Sequence, residues 1–302
     1  MRSENSLPKR ADRRVENVQM GHAEGKFSGA RGLSIYYQYW IPQLTPKALL
    51  LLVHGAGEHS ARYLRLAGFF NERGYAVAAF DHPGHGKSEG RYGHIDRLED
   101  LVTTLGMFKD RVQADFPGLP QILVGHSMGG LISGLYLLEN QQGFTGCVLS
   151  GPAIKTDIKP PYLQLLLIRC LSVVAPYAGA LQLDAAGVSR DPQVVADYLS
   201  DPLVNHGKMT VRMVAELFKG MHRIQADAGA ITLPLLLLHG EADAMAAPEG
   251  SRFLYEHVGS VDKTLKIYPG LYHEIFNEPE HPAVFAEVLA WCERRLPGAA
   301  TA

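Results

Sequence analysis

The stretch ILVGHSMGGL, residues 122–131, decides how the whole chain is read. An apolar run enters it, a helical pattern leaves it, and between them Gly125-His126-Ser127-Met128-Gly129 forms a G-x-S-x-G. A sharp turn from strand to helix forces the central serine into a strained backbone conformation and exposes its hydroxyl. Glycines two before and two after prevent side-chain collisions. Five residues of common types are a weak signal alone, and a serine there could merely cap a helix. The strand-in, helix-out context selects Ser127 as a nucleophile, at a helix N-terminus that favours developing negative charge.

On either side, buried strands alternate with helices. KFSGARGLSIYYQYWIP (26–42) reads as two short strands around a Gly turn. ALLLLVHG (48–55), YAVAAFD (75–81), QILVGH (121–126), GCVLSGP (146–152), LPLLLLHG (233–240) and KTLKIYPG (263–270) read as six more, most of them continuous apolar runs. Helical patterns fall at 61–74, about 97–115, 130–141 and about 282–296. The expectation is an α/β fold with a mostly parallel, eight-stranded sheet covered by helices on both faces. Between Pro152 and Leu233 the rhythm breaks into helical segments and turns with no convincing buried strand. This divides the chain into an arm (1–25), a core (26–152 and 233–298) and a helical cap (153–232).

Composition narrows the class. The chain has 302 residues, 46% of them hydrophobic and 20% charged, with a net charge of −2, which suits a large folded core and argues against nucleic acid as a partner. The basic start, MRSENSLPKRADRR, lacks a signal peptide's apolar segment and reads as a solvated arm. Three cysteines, Cys147, Cys170 and Cys292, are odd in number and far apart. That fits a reducing, cytoplasmic setting rather than a disulfide framework or a clustered zinc site. No run reaches the ~20 apolar residues of a membrane span.

A serine hydroxyl needs a base, and the base an orienting acid. Where the nucleophile sits on a strand–helix elbow, the acid follows it in the chain and histidine comes last. Asp243 lies three residues past Gly240, beyond a buried strand, and His273 three past Gly270, beyond the last strand. Both fall at strand C-terminal ends, where open α/β sheets bind ligands. Glu241 shares the loop of Asp243, and His257 and His281 flank His273 in sequence, but neither histidine sits just beyond a strand end. The oxyanion of an acyl-transfer intermediate needs two N–H donors. Met128, next after the nucleophile, supplies one; the loop VHGAGEHS (53–60) makes Ala56 the other, with small residues that let a carbonyl approach the backbone. His54 then reads as a structural residue under that loop.

His54 and His59 also invite a metal reading, but they straddle a Gly-containing loop and no later cluster completes a site. Neither metal nor cofactor is expected.

HGAGEHSARY, DHPGHGKSEG, GHSMGG, SRDPQVVADYLSDPLV, HGEAD and KTLKIYPGLYHE together resemble the monoacylglycerol lipases, capped serine hydrolases also labelled lysophospholipases, over about residues 26 to 296. The resemblance is closest to bacterial members. It implies an α/β-hydrolase fold, a triad of Ser127, Asp243 and His273, an oxyanion hole of Ala56 and Met128, and Glu58 and Arg62 near the glycerol end of the pocket. Glu58 and Arg62 equally suit an i,i+4 salt bridge that pins the loop. Phe276 stands where some animal members carry a second histidine, so no polar contact is expected there. The implied activity is cleavage of monoacylglycerols to fatty acid and glycerol. A carboxylesterase or lysophospholipase with the same triad is the alternative, and a non-catalytic ligand-binding protein of the same fold a third reading. The apolar segment Leu163 to Val174, broken only by Gln164, Arg169 and Ser172, reads either as a helix buried on the core or as the wall of an acyl tunnel that touches membranes or micelles.

Overall fold

The computed structural model describes residues 21–156 and 162–296, with backbone alone at 162–166. Two strands, β1 (His22–Ser28) and β2 (Ser34–Trp40), form an antiparallel hairpin at one edge of the sheet. β3 (Ala48–Val53), α1 (Leu64–Asn71), β4 (Tyr75–Phe80), α2 (Leu98–Asp115), β5 (Gln121–His126), α3 (Met128–Leu137) and β6 (Phe144–Ser150) follow. After an insertion that follows β6, the chain closes with β9 (Leu235–Gly240), α7 (Pro248–His257), β10 (Lys263–Tyr268) and α8 (His281–Glu293). The eight-stranded sheet has the order β1-β2-β4-β3-β5-β6-β9-β10, antiparallel only at the β1–β2 and β2–β4 pairings. This is the expected sheet, with β5, which carries the serine, near its centre.

The central strands are apolar throughout because both faces are covered. Along β3, Leu49, Leu51 and Val53 join one core layer, while Ala48, Leu50 and Leu52 join the other. The first layer packs under α2 and α3 with Leu101, Leu105, Phe108, Leu131 and Leu135; the second packs under α1 and α8 with Leu66, Phe70, Phe285 and Trp291. β10 differs: Thr264 and Lys266 are exposed and Tyr268 alone is buried, and Lys263 and Lys266 help keep this edge strand from pairing further.

Two boundaries move. Residues 22–25, assigned above to the arm, belong to β1, where Glu24 accepts from the Tyr36 hydroxyl and His22 bonds Gln38; the alternating polar residues there mark an edge strand. Residues 1–20 lie outside the described residues. The helix expected at 61–74 begins as a 3-10 turn, Ser60–Tyr63, before α1.

The insertion contains α4 (Tyr162–Val174), α5 (Pro192–Ser200) and α6 (Val211–Asp227). It also holds a short antiparallel pair, β7 (Gly179–Leu181) and β8 (Met209–Thr210), too brief to leave a pattern in the sequence. α6 does not stand apart from the core, since Met213, Val214 and Ile224 join the first apolar layer. Among the described residues, no helix is long and apolar enough to cross a membrane.

The Trp291 indole abuts Gly146, where a Cβ would come within 2.5 Å of the ring. Trp291→Ala opens a large cavity between α8 and the sheet and is expected to cost about 3–5 kcal/mol. Equilibrium denaturation in urea measures this; a loss under 1 kcal/mol would contradict the packing described.

Candidate active site

Ser127 sits between β5 and α3 with φ 53° and ψ −121°, one of two described non-glycine residues at positive φ. Such a conformation costs roughly 1–3 kcal/mol and persists only where the surroundings over-determine it. They do so here. Ser127 N–H donates to the Ser150 carbonyl at 3.0 Å, and the Ser127 carbonyl accepts from Ala153 at 3.0 Å and Leu131 at 3.1 Å. A Cβ on Gly129 would lie 2.1 Å from the Val53 carbonyl oxygen, so only glycine lets α3 start this close to β3.

The structure brings the three expected side chains together. His273 Nε2 is 2.8 Å from Ser127 Oγ, and His273 Nδ1 is 2.6 Å from Asp243 Oδ2. Asp243 and His273 are each 4% exposed, so water competes little for these bonds. Asp243 Oδ1 accepts from the backbone N–H groups of Met245 (2.8 Å) and Ala246 (2.9 Å). Burial opposes the Asp243 charge, but His273 and His239 outweigh it and hold the carboxyl well below the usual range. Burial likewise opposes a charged His273, yet Asp243, then Glu274 and Glu58, raise its pKa.

Sequence reasoning missed several supports. His239, fully buried at the end of β9, places Nε2 3.0 Å from both Asp243 Oδ2 and the Ala246 carbonyl, and Nδ1 2.7 Å from Ser251 Oγ. Its position just before Gly240, at a strand end beside the acid, was the available signal. His126 bonds the Ser150 carbonyl through Nδ1 at 3.0 Å, with its ring 4.7 Å from that of His273. Burial first, then His273, pushes its pKa down to about 3, so it stays neutral.

Glu58 and Arg62 are brought together but play different parts. Arg62 donates to Glu58 Oε2 at 3.0 Å and bidentately to Glu274 at 2.6 and 2.8 Å, with its guanidinium 4.7 Å from the Tyr198 ring centre. Glu58 Oε1 accepts from Gly55 N–H and the Tyr63 hydroxyl, both at 2.6 Å. Burial, reinforced by Glu274, raises the Glu58 pKa; burial would raise that of Glu274 too, but Arg62 lowers it. The i,i+4 pinning is therefore real, and Glu58 also faces the cavity. His59 Nε2 meets Asp201 Oδ2 of the insertion at 2.8 Å, while Phe276 packs against Phe285 in the core.

A cavity of about 280 Å³ opens over Ser127. Ala56, Met128, Glu58 and His273 meet at its base, and Leu181, Val214, Leu217, Phe218 and Met245 line its apolar walls. Ile168 is the α4 residue that reaches it, while Leu167, Val173 and Val174 of the same helix are 55%, 73% and 77% exposed. Among the described side chains of the helix, 167–174, Ile168 forms part of the wall and Leu167, Val173 and Val174 an outward apolar surface.

A serine on a strand–helix elbow, hydrogen-bonded to a histidine that an aspartate backs in an α/β-hydrolase fold, is the arrangement of the serine hydrolases. The chain belongs to the Hydrolase_4 family, described as serine aminopeptidase, S33, whose model matches residues 45–280. It is 39% identical over 279 residues to a monoacylglycerol lipase of Mycolicibacterium smegmatis, covering 92% of this chain and 100% of that protein. It is 36% identical over 302 residues to the human monoglyceride lipase, covering 99% and 98%. Among solved structures it resembles the Paleococcus ferrophilus monoacylglycerol lipase, with 33% identity, a TM-score of 0.74, and 90% and 98% of the two chains covered.

If His273 acts as a base it must be neutral, so kcat/KM for ester hydrolysis should rise with pH through an inflection above the ordinary histidine value of about 6.5. Asp243→Asn removes the charge that raises it. The inflection should fall and kcat drop by about 10⁴-fold, as on loss of the acid in other triads. A pH–rate series on both proteins checks this, and an unchanged inflection would refute it.

Proposed function

We propose that the protein hydrolyses monoacylglycerols to fatty acid and glycerol. The observation that carries this reading is the continuous Ser127–His273–Asp243 chain of short hydrogen bonds at the floor of an apolar cavity. Ser127 Oγ attacks the ester carbonyl as its proton passes to His273 Nε2. The backbone N–H groups of Ala56 and Met128 receive the oxyanion. Collapse breaks the ester bond, and His273 returns the proton to the departing glycerol oxygen. Water, deprotonated by the same imidazole, then attacks the acyl-enzyme; the Ser127 Oγ–acyl bond breaks, His273 returns the proton to Oγ, and the fatty acid leaves.

The apolar walls suit an acyl chain, each buried CH₂ contributing about 0.8 kcal/mol. Glu58 is a carboxylate at the base of the cavity and an acceptor for a glycerol hydroxyl, while Arg62 acts through it from behind. The family's description mentions an aminopeptidase, but a substrate ammonium would need a free carboxylate, and Glu58 and Glu274 already share Arg62. The names of the relatives point to the same ester class. A carboxylesterase or lysophospholipase with this triad remains the alternative, to be separated by substrate. The exposed Leu167, Val173 and Val174 form the surface that would meet a membrane or micelle.

Ser127→Ala should abolish hydrolysis and fluorophosphonate labelling without unfolding the protein. Across glyceryl monoesters from acetyl to oleoyl, kcat/KM should climb by up to about fourfold per CH₂ until the cavity is filled. A maximum at acetyl would sink the lipase reading, and a preference for lysophospholipids would favour the alternative.

Val173→Asp with Val174→Asp should weaken attachment to lipid vesicles by about tenfold or more, while hydrolysis of a dissolved short-chain ester stays unchanged. Equal attachment by both proteins in a flotation assay would remove the membrane-facing role of α4.

A further inference from the structure

Three buried histidines behind the VHGAGEHS loop have no part in the mechanism above. His54, His82 and His85 are at most 2% exposed, and the His54 and His82 rings lie 4.4 Å apart. Their partners settle which nitrogen holds each proton. The His82 backbone N–H, which can only donate, points at His54 Nε2 at 2.9 Å. His54 therefore carries its proton on Nδ1, which donates to the Gly55 carbonyl at 2.8 Å. His82 Nε2–H donates to the His54 carbonyl at 3.1 Å. Burial, reinforced by the neighbouring His82 and His85 rings, keeps His54 neutral, so this pattern does not compete with a charged form.

Two consecutive peptide groups are thereby fixed. In the first, His82 holds the His54 carbonyl and Glu58 Oε1 holds the Gly55 N–H at 2.6 Å. In the second, His54 holds the Gly55 carbonyl. A trans peptide directs its C=O and N–H to opposite sides. With the carbonyl drawn back towards His54, the N–H of Ala56 faces the other way, on the side where Ala56 lines the cavity beside Ser127. The clearance is small, since a Cβ on Gly55 would lie 3.1 Å from Ser127 Cβ.

We propose that His54 is a positioning residue for the oxyanion hole: its Nδ1–H holds the Gly55–Ala56 peptide in the one orientation that presents Ala56 N–H to the reacting carbonyl, and the His82 backbone sets the tautomer. This rests on the assignment of Ala56 as an oxyanion donor. A flip of that peptide would aim a carbonyl oxygen at the oxyanion and replace attraction by repulsion.

The test uses His54→Leu, which removes the donor, and His54→Asn, whose side-chain amide donates from nearly the same point as Nδ1. For His54→Leu, kcat should fall roughly 10–100-fold, towards the effect of losing an oxyanion donor outright, with KM within about twofold. The affinity of an alkyl trifluoromethyl ketone, which forms a tetrahedral adduct on the serine, should fall by the same factor, and His54→Asn should recover most of both. A loss confined to KM, wild-type affinity for the ketone, or no recovery with Asn would overturn the proposal. Should His54→Leu not fold, ¹⁵N-histidine NMR of the wild-type protein decides. The Nδ1–H tautomer of His54 should persist from pH 5 to 9, and an Nε2–H tautomer or a titration in that range would refute it. If wild-type protein takes no fluorophosphonate on Ser127, the hydrolase reading itself fails, and the NMR result still reports on the clamp.

Discussion

The positive φ of Ser127 is the constraint on which the rest of the site depends. An ordinary strand-to-helix connection would turn the hydroxyl along the sheet or bury it under α3. The left-handed turn lifts it to the crest, where His273 meets it at 2.8 Å. The strain is affordable because β5 lies between β3 and β6, and both neighbours hold the elbow: β6 through the Ser150 carbonyl, β3 through its contact with Gly129. The deep core thus serves the chemistry directly. It supplies the rigidity that keeps one residue in a conformation it would otherwise leave.

Around this point the protein buries several ionisable groups, a costly arrangement unless each charge is paired and hydrogen-bonded. Asp243 meets the condition with two backbone donors and two histidines. The Glu58–Arg62–Glu274 group meets it with one guanidinium between two carboxylates and further donors from Gly55, Tyr63 and Asn277. Its placement matters as much as its energy. Glu58 fixes the Gly55 N–H, Glu274 adjoins His273, and Tyr198 of the insertion covers the guanidinium, so the group joins the loop after β3, His273 and the insertion. His59–Asp201 and the Asn205 N–H to the Gly57 carbonyl at 2.8 Å add two more ties between that loop and the insertion. The roof of the cavity and its polar floor are therefore parts of one bonded unit.

Much of the fold was legible because its signals are local. Six strand-like segments, most of them apolar runs, became six strands of the sheet, and G-x-S-x-G marked the elbow through glycines whose role is steric and immediate. Asp243 and His273, which the structure brings together with Ser127, were legible through position alone, each a few residues past a strand end. What could not be read was set by contacts across the sheet. The short pairing of β7 with β8 leaves no periodicity, and α6 looks like cap until its apolar face is seen in the main core. The start of β1 has too few apolar residues to distinguish an edge strand from an arm.

The same distinction explains which site residues escaped notice. Ser127, Asp243 and His273 could be singled out by chemistry and chain order. His239, His126, Glu274 and Asp201 have roles that follow from who their neighbours are, and those neighbours lie on other elements. Arg62 shows the boundary between the two cases. Its i,i+4 partner Glu58 was readable from spacing, but its stronger bidentate partner, Glu274, is 212 residues away. Read locally, Arg62 is half of a surface-type pair worth a few tenths of a kcal/mol. In the folded chain it is the cation shared by two buried carboxylates, where its removal would strand charge. Local spacing therefore identified the right residue and undervalued its work, because the dielectric that sets the value of a charge is a property of the assembled core rather than of any segment.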